Sequence, residues 1–343
     1  MLKGGAICRA ATLTRMNRFT AQPLYRPDHE DLRFLPECPR VLQRFPGNAP
    51  MLGWVAIQHG PGRGDGSFNF LNLTTGVNTT IPLPGRPGFF VETELPGLLL
   101  VGLERRLILL DATTGQVTET GIIVSHDERV IINDGIAIPD GLLFGTKHLE
   151  FRNPIAALYH YDCATRELHQ VVGGQVCSNG KYYQATDGHV TLIDIDSAPK
   201  TITRYRLDSG LRHIREQTLV APPQSLPAFP DGLRPSPDGA SIVVAFYNPD
   251  AAECGIAQEI RLADGAVLTE WTLPGSPRVT CPEFAIVDGQ VKILFTTAVE
   301  GMPDAIRQMA PNAGTIFCAD TPFTSLPAPP PILRGACFSL LWN

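Results

Sequence analysis

The fold is decided by a pattern that is clearest in the stretch Asp238-Gly239-Ala240-Ser241-Ile242-Val243-Val244-Ala245. The Asp-Gly pair supplies the positive φ that a tight hairpin requires, and the β-branched run after it is typical of a buried strand. Glycine turns of this kind recur about every 25 residues from Gly115 to Gly289, with short apolar runs between them. We find no long segment with a helical period of apolar residues, so the chain is predicted to be all-β.

The spacing of the turns also predicts an architecture. One four-stranded unit per about 50 residues leaves room for six units after an N-terminal extension. Four-stranded sheets repeated around an axis form a β-propeller, whose central channel collects one loop from each blade at its mouth. We therefore predict an extension of unknown role over residues 1–30 and a single six-bladed β-propeller domain over residues 31–343. A pair of β-sandwiches is the alternative that the spacing leaves open.

The composition excludes some classes of partner. Lys and Arg total 28 against 34 Asp and Glu, a net charge of −6, which gives no basic field for a nucleic acid. No run of about 18 apolar residues occurs, so no membrane span is predicted.

The cysteines and the N-terminus bear on the compartment. The eight cysteines are scattered without a CxxC pair and are predicted to be reduced, buried thiols of a cytoplasmic protein; a disulfide framework is the alternative. The chain has no acid before Asp28, so a mitochondrial presequence is a second possibility for its start, beside an ordinary extension or a start codon at Met16.

Four short motifs combine one oxygen-bearing side chain with proline or glycine. Proline fixes φ before the polar residue and glycine permits a turn after it, so each side chain is predicted to be held stiffly at the base of a loop. Taken singly, each motif is also compatible with a plain turn. The motifs are Pro36-Glu37-Cys38-Pro39, Ile132-Asn133-Asp134-Gly135, Ser178-Asn179-Gly180 and Phe229-Pro230-Asp231-Gly232.

In this order the motifs resemble the senescence marker protein, gluconolactonase and luciferin-regenerating family (SMP-30-like), six-bladed propellers that carry one divalent cation in the central channel. Glu37-Cys38-Pro39-Arg40 resembles the family's Gly-Glu-x-Pro-x-Trp signature, and the Asn133 motif is followed by Phe144-Gly145-Thr146, which resembles its Gly-Thr-Met block. Ser178-Asn179-Gly180 and Pro230-Asp231-Gly232 match the family's Ser-Asn-Gly and Pro-Asp-Gly. The resemblance covers roughly residues 30 to 320.

The resemblance implies a site. Glu37, Asn179 and Asp231 would bind the cation, Asp231 would also act as the catalytic base, and Asn133 and Glu150 would bind the substrate. Hard oxygen donors suit Ca²⁺, which we expect first, with Mg²⁺, Mn²⁺ or Zn²⁺ as alternatives.

The implied function is that of a metal-dependent lactonase or esterase acting on a small molecule. Ile131 stands where some members carry an arginine that hydrogen-bonds sugar hydroxyls, and Lys147 replaces the methionine of Gly-Thr-Met. These departures favour lactone or ester hydrolysis in general over a sugar lactone in particular. The alternative is a non-catalytic propeller that binds a small ligand or a partner and keeps a structural cation.

Overall fold

A computed structural model describes residues 16–58, 65–186, 188–334 and 337. Within these residues 25 strands form six sheets. The predicted six-bladed β-propeller is therefore confirmed. The first 15 residues, on which most of the presequence hypothesis rests, lie outside the described residues.

Each blade is an antiparallel meander of consecutive strands. Blade 1 contains β3 (Leu35–Val41), β4 (Met51–Gln58), β5 (Asp65–Asn72) and β6 (Asn78–Leu83), and blade 2 contains β7 (Pro87–Glu92), β8 (Leu98–Leu103), β9 (Arg106–Asp111) and β10 (Val117–Ile123). Blade 3 contains β11 (Val130–Ile138), β12 (Gly141–His148), β13 (Ala156–Asp162) and β14 (Glu167–Gln175), and blade 4 contains β15 (Ser178–Thr186), β16 (His189–Asp196), β17 (Thr201–Leu207) and β18 (Ile214–Leu219). Blade 5 contains β19 (Phe229–Pro235), β20 (Ser241–Tyr247), β21 (Cys254–Arg261) and β22 (Val267–Pro274), and blade 6 contains β23 (Val279–Val287), β24 (Gln290–Thr297) and β25 (Ile316–Asp320).

The N-terminal segment completes the last two blades. β2 (Gln22–Tyr25) pairs antiparallel with β25 and gives blade 6 its fourth strand, while β1 (Asn17–Thr20) pairs parallel with β22 at the edge of blade 5. The sequence placed residues 1–30 outside the propeller, whereas the structure includes residues 17–25 in it. The reason is that β25 ends its sheet with an open edge, which a strand from the other end of the chain covers.

Helices are few and short. The described residues contain α1 (Glu30–Phe34), α2 (Asp304–Met309) and one 3₁₀ turn (Pro223–Ser225). No helix in the described part of the chain is both long and apolar enough to cross a membrane.

Most of the predicted turn glycines lie between paired strands, but Gly141 is the first residue of β12 and has no positive φ. Gly265 joins β21 to β22 with φ of +73°, and Gly289 joins β23 to β24 with φ of +75°. Large apolar side chains fill the space between the sheets, and Trp54, Trp271 and Phe144 are fully buried there.

The first strand of each blade lines the centre of the ring. These six strands, β3, β7, β11, β15, β19 and β23, contact one another in succession and close the circle. Each inner strand pairs with the second strand of its blade, and in each pair the register shifts near the first residues of the inner strand. Such bulges bend a strand and re-aim its side chains, so the same end of the channel receives a re-aimed residue from every blade.

The C-terminal segment is fastened by a disulfide. Leu333 forms a parallel bridge with Thr93 of blade 2, and Cys337 is bonded to Cys163 of blade 3. The expectation that the cysteines are reduced is wrong for this pair. The chain path explains it, because the segment after blade 6 crosses back over the propeller and brings the two Cα atoms to 4.6 Å. Cys38, Cys177 and Cys281 are free and buried, as expected.

Candidate functional site

Two glycines set the distance between neighbouring inner strands. The sequence predicted that Gly180 and Gly232 permit turns, but both lie inside strands, at the bulges of β15 and β19, and neither has a positive φ. A Cβ on Gly180 would lie 2.5 Å from the backbone nitrogen of Leu233, and a Cβ on Gly232 would lie 2.4 Å from Sγ of Cys281. The turn interpretation is therefore wrong for this pair: glycine is required because adjacent blades touch backbone to backbone here.

This close approach brings Asn179 to Asp231. Both side chains are buried, and Nδ2 of Asn179 donates hydrogen bonds to Oδ1 of Asp231 and, at 3.2 Å, to Oγ of Ser197. The amide thus uses both of its hydrogens on protein partners. Among the described residues no donor reaches Oδ1 of Asn179 or Oδ2 of Asp231, so two oxygens remain free for a ligand.

Glu37 belongs to the same electrostatic cluster. It is the third residue of β3, and its half-buried carboxylate has no hydrogen-bond donor in the described part of the chain. Burial raises the pKa of Glu37 well above its ordinary value, repulsion by Asp231 adds to the rise, and Lys147 opposes it. Burial likewise raises the pKa of Asp231, against the charge of Lys147 and the hydrogen bond from Asn179. Two carboxylates therefore repel each other in a site with free oxygens.

Asn133 and Asp134 occupy the bulge of β11. Nδ2 of Asn133 donates to the backbone oxygen of Ser178 at 3.1 Å and contacts Sγ of Cys177 at 3.5 Å, which places it beside the start of β15. Asp134 accepts the Gly135 N–H at 2.7 Å through Oδ1, while its buried Oδ2 has no partner among the described residues. Burial raises the pKa of Asp134, and the charge of Lys181 opposes the rise.

Glu150 lies apart from this group in its contacts. It follows β12, its side chain is 66% exposed, and it forms an ion pair with Arg152 at 3.5 Å. A hydrogen bond joins Asn179 to Asp231, and the charge of Asp231 acts on Glu37. Asn133 lies against the neighbouring strand β15. The structure gives Glu150 no hydrogen bond to any of them.

Three charged residues of this site were not among the predicted site residues. Lys181 is fully buried, donates to the backbone oxygen of Asn179 and lies 3.3 Å from Asp194, so it supports the Asn179 backbone. Lys147 is buried in β12, and Glu300 adds negative charge near Glu37 and Asp231. A signal existed for Lys147, because it replaces the methionine of the family's Gly-Thr-Met block.

The donor set fits a hard divalent cation. Glu37, Asp231 and Asn179 offer carboxylate and carboxamide oxygens, which Ca²⁺ and Mg²⁺ prefer. A cation would also relieve the repulsion between the two carboxylates. Clusters of three or more His, Cys, Asp or Glu side chains suited to a metal are absent from the described residues. The carboxamide of Asn179 would be the third oxygen donor beside Glu37 and Asp231.

Comparisons with known proteins agree with this architecture. The model of the family described as SMP-30/gluconolactonase/LRE-like region matches residues 35–299. An L-arabinolactonase from Azospirillum brasilense is 23% identical over 246 residues, which are 71% of this chain and 77% of that protein.

Solved structures show the same fold. A calcium-binding protein, regucalcin, from Agrobacterium tumefaciens superposes with a TM-score of 0.75 at 19% identity, over 93% of this chain and all of that one. A luciferin-regenerating enzyme has a TM-score of 0.72 at 17% identity over 88% and 95% of the two chains. A gluconolactonase from Xanthomonas campestris has a TM-score of 0.60 at 14% identity over 91% and 90%.

Proposed function

The chain belongs to the SMP-30/gluconolactonase/LRE-like family, and from this premise we propose that it is a divalent-metal-dependent hydrolase of a lactone or a related ester. The observation that carries the proposal is the donor-free group of oxygens on Asn179, Asp231 and Glu37 at the channel end where all six inner strands are bulged. The L-arabinolactonase and gluconolactonase relatives support a lactone as substrate.

Glu37, Asn179 and Asp231 would hold the cation. When bound, a divalent cation polarises a carbonyl and lowers the pKa of a water molecule, which is the chemistry that lactone hydrolysis needs. Ca²⁺ is the first choice because oxygen donors alone make up the set, and Mg²⁺, Mn²⁺ and Zn²⁺ are the alternatives.

Asp231 is proposed as the base. Its Oδ1 accepts the hydrogen bond from Asn179, which fixes the orientation of the carboxylate. Its Oδ2, the oxygen that would face the cation, has a second lone pair that would accept the proton of the attacking water. Burial raises the pKa of Asp231, and the charge of a bound cation would oppose this rise. As the carbonyl–oxygen bond of the ring breaks, the same proton can be returned to the departing alkoxide, and the product is a hydroxy acid.

Asn133 is proposed to face the substrate. Its Nδ2 is directed to Ser178 and Cys177, which leaves Oδ1 as the group that can accept a hydrogen bond from a substrate hydroxyl. Glu150 could contact only a ligand that extends to the exposed rim, because its carboxylate lies in solvent beside Arg152.

The experiment is hydrolysis of glucono-δ-lactone and of simple lactones in a pH-stat, with Ca²⁺, Mg²⁺, Mn²⁺ or Zn²⁺ added to chelated protein. We expect turnover that EDTA removes and that Asp231→Ala abolishes. Undiminished turnover in Asp231→Ala would contradict the proposed base. Binding of the cation with no turnover of any lactone or ester would instead support the non-catalytic propeller.

A further inference from the structure

Lys147 is a buried lysine whose ammonium group has no hydrogen bond or ion pair within the described residues. The residue is 5% exposed and lies in β12, where all eight residues are buried. In the described part of the chain no hydrogen-bond acceptor or carboxylate reaches its Nζ, which has the ring of Phe151 at 5.6 Å. Nζ is not one of the polar atoms that are completely buried without a partner, so a ligand can reach it. Glu37 and Asp231 are near enough for their charges to act on Lys147 but form no ion pair with it in the described residues. A buried ammonium group without a hydrogen-bonded counter-ion costs several kcal/mol, so the arrangement needs an explanation.

The other buried lysine of the site shows the contrast. Lys181 has a side chain that is 0% exposed, and the fold supplies it with Asp194 at 3.3 Å and with the backbone oxygen of Asn179. The propeller therefore satisfies one buried ammonium with its own carboxylate and leaves the other open. A group that the fold leaves open at a candidate site is available to a ligand.

The strand register places Lys147 on the wall of the site. Lys147 pairs with Ile131 of β11 on one side and bridges Cys177 on the other. Directly opposite residues of antiparallel strands project from the same face, so these three side chains share one surface. Sγ of Cys177 in turn contacts Nδ2 of Asn133 at 3.5 Å. The charge of Lys147 opposes the rise that burial causes in the pKa of both Glu37 and Asp231, which agrees with this position.

The charges around Lys147 indicate what it would bind. Glu37 and Asp231 would together balance the charge of the proposed divalent cation, so neither would then be left as the counter-ion of Lys147. Asp134 is held by the Gly135 N–H and faces the charge of Lys181, and the carboxylate of Glu300 accepts from the hydroxyl of Tyr247 at 3.4 Å. Ile131 and Phe151 offer no hydrogen bond and lower the local dielectric, which strengthens an ion pair.

We propose that Lys147 is the specificity-determining residue of this site and that it binds a carboxylate on the substrate, so that the preferred substrate is a lactone carrying an acid group. The proposal rests on the proposed lactonase function and names its substrate class. A neutral sugar lactone would leave the ammonium group of Lys147 without a counter-ion. Its hydroxyls would also meet the apolar side chain of Ile131, which lies beside Lys147.

The test uses two lactones of the same ring, γ-butyrolactone and its γ-carboxylate, with the Ca²⁺-loaded full chain. We expect kcat/KM of the wild type to be at least about tenfold higher for the carboxylate. Lys147→Met should remove that preference, because its KM for the carboxylate should rise about tenfold relative to its KM for the neutral lactone. Lys147→Arg should keep the preference, and Lys292→Met is the control, because Lys292 lies in β24 of blade 6 away from the bulged end of the inner strand.

Two results would overturn the proposal: a wild type that prefers the neutral lactone, or an equal loss on both lactones in Lys147→Met. The first needs no variant, so it decides the matter even if Lys147→Met fails to fold. Calorimetric binding of glutarate, a dicarboxylate that is not hydrolysed, separates this proposal from the lactonase itself. If the wild type binds glutarate and Lys147→Met does not, the role of Lys147 is supported even when neither lactone is turned over. If the wild type does not bind glutarate, that role is contradicted.

Discussion

Nδ2 of Asn179 donates a hydrogen bond to Oδ1 of Asp231 across the junction of blades 4 and 5. The two residues are 52 positions apart in the chain, and each lies in a bulge of an inner strand. The hydrogen bond orients the carboxylate and leaves one oxygen of each side chain without a donor among the described residues. The geometry of the candidate site therefore depends on how closely two blades pack.

The first prediction concerns the repulsion between Glu37 and Asp231. Removing one charge by Asp231→Asn should maintain or raise the melting temperature of the chelated protein, because the buried repulsion disappears. The same change should abolish the stabilisation by Ca²⁺, which for the wild type is expected to reach about 2–3 kcal/mol at a hundredfold excess over Kd. Thermal melts with EDTA and with increasing Ca²⁺ measure both effects.

Asp250→Asn is the control for this experiment, since Asp250 is an exposed aspartate of the loop after β20. It should retain the full response to Ca²⁺. A wild-type response that persists in Asp231→Asn would show that the cation binds elsewhere.

The second prediction concerns Gly180. A methyl group at this position would lie 2.5 Å from the Leu233 nitrogen and 2.7 Å from the Asp231 oxygen, both of them backbone atoms that cannot move independently. Gly180→Ala should cost about 2–3 kcal/mol in the free energy of unfolding and should also weaken Ca²⁺ binding, because Asp231 is displaced. Urea denaturation and calorimetric titration with Ca²⁺ give the two quantities.

Gly210→Ala is the matched control, because the nearest atom to a Cβ there is a flexible side-chain carbon of Arg212 at 3.8 Å. It should leave stability and Ca²⁺ binding nearly unchanged. Equal behaviour of the two variants would mean that the contact between the blades is not tight.

These glycines also show which parts of the structure can be predicted from the sequence. The Asp-Gly turns at Gly265 and Gly289 were predictable because a hairpin is a local structure, and their spacing gave the six blades. Gly180 also follows a short polar residue in the sequence, yet glycine is required there because a strand of the next blade packs against it. The disulfide between Cys163 and Cys337 and the pairing of β2 with β25 are of the same kind. Each depends on chain segments far apart in sequence, which a local pattern does not encode.

The third prediction is a dependence of stability on pH that comes from His160. Its ring is buried, both ring nitrogens lack a partner among the described residues, and it packs edge-on against His169 at 4.8 Å. Burial, with repulsion from His169, lowers the pKa of His160 to about 4. In the unfolded chain the value returns to about 6.5, so between these two values the unfolded state binds a proton that the folded state does not.

Stability should therefore fall as the pH is lowered from about 6.5 to about 4, by about 3 kcal/mol at most from this residue. His160→Phe keeps an aromatic ring and should flatten that part of the profile, whereas His213→Asn, at an exposed position, should not. Urea midpoints measured at several pH values check this. A profile that is equally steep in His160→Phe would assign the effect to other groups.

The fourth prediction concerns the disulfide that fastens the C-terminal segment. Cys163 and Cys337 are 174 positions apart, and the bond holds the segment against blades 2 and 3, where Leu333 also exchanges backbone hydrogen bonds with Glu92 and Glu94. Because the bond closes a long loop in the unfolded chain, its loss is expected to cost about 2–5 kcal/mol. Cys337→Ser should reproduce the fall in melting temperature that a reductant causes in the wild type, and the reductant should then have no further effect on the variant. Cys318→Ser, which changes a free cysteine, should still respond to the reductant as the wild type does. The melting temperature alone is informative here, because the bond lies away from the candidate site and neither variant should change the response to Ca²⁺.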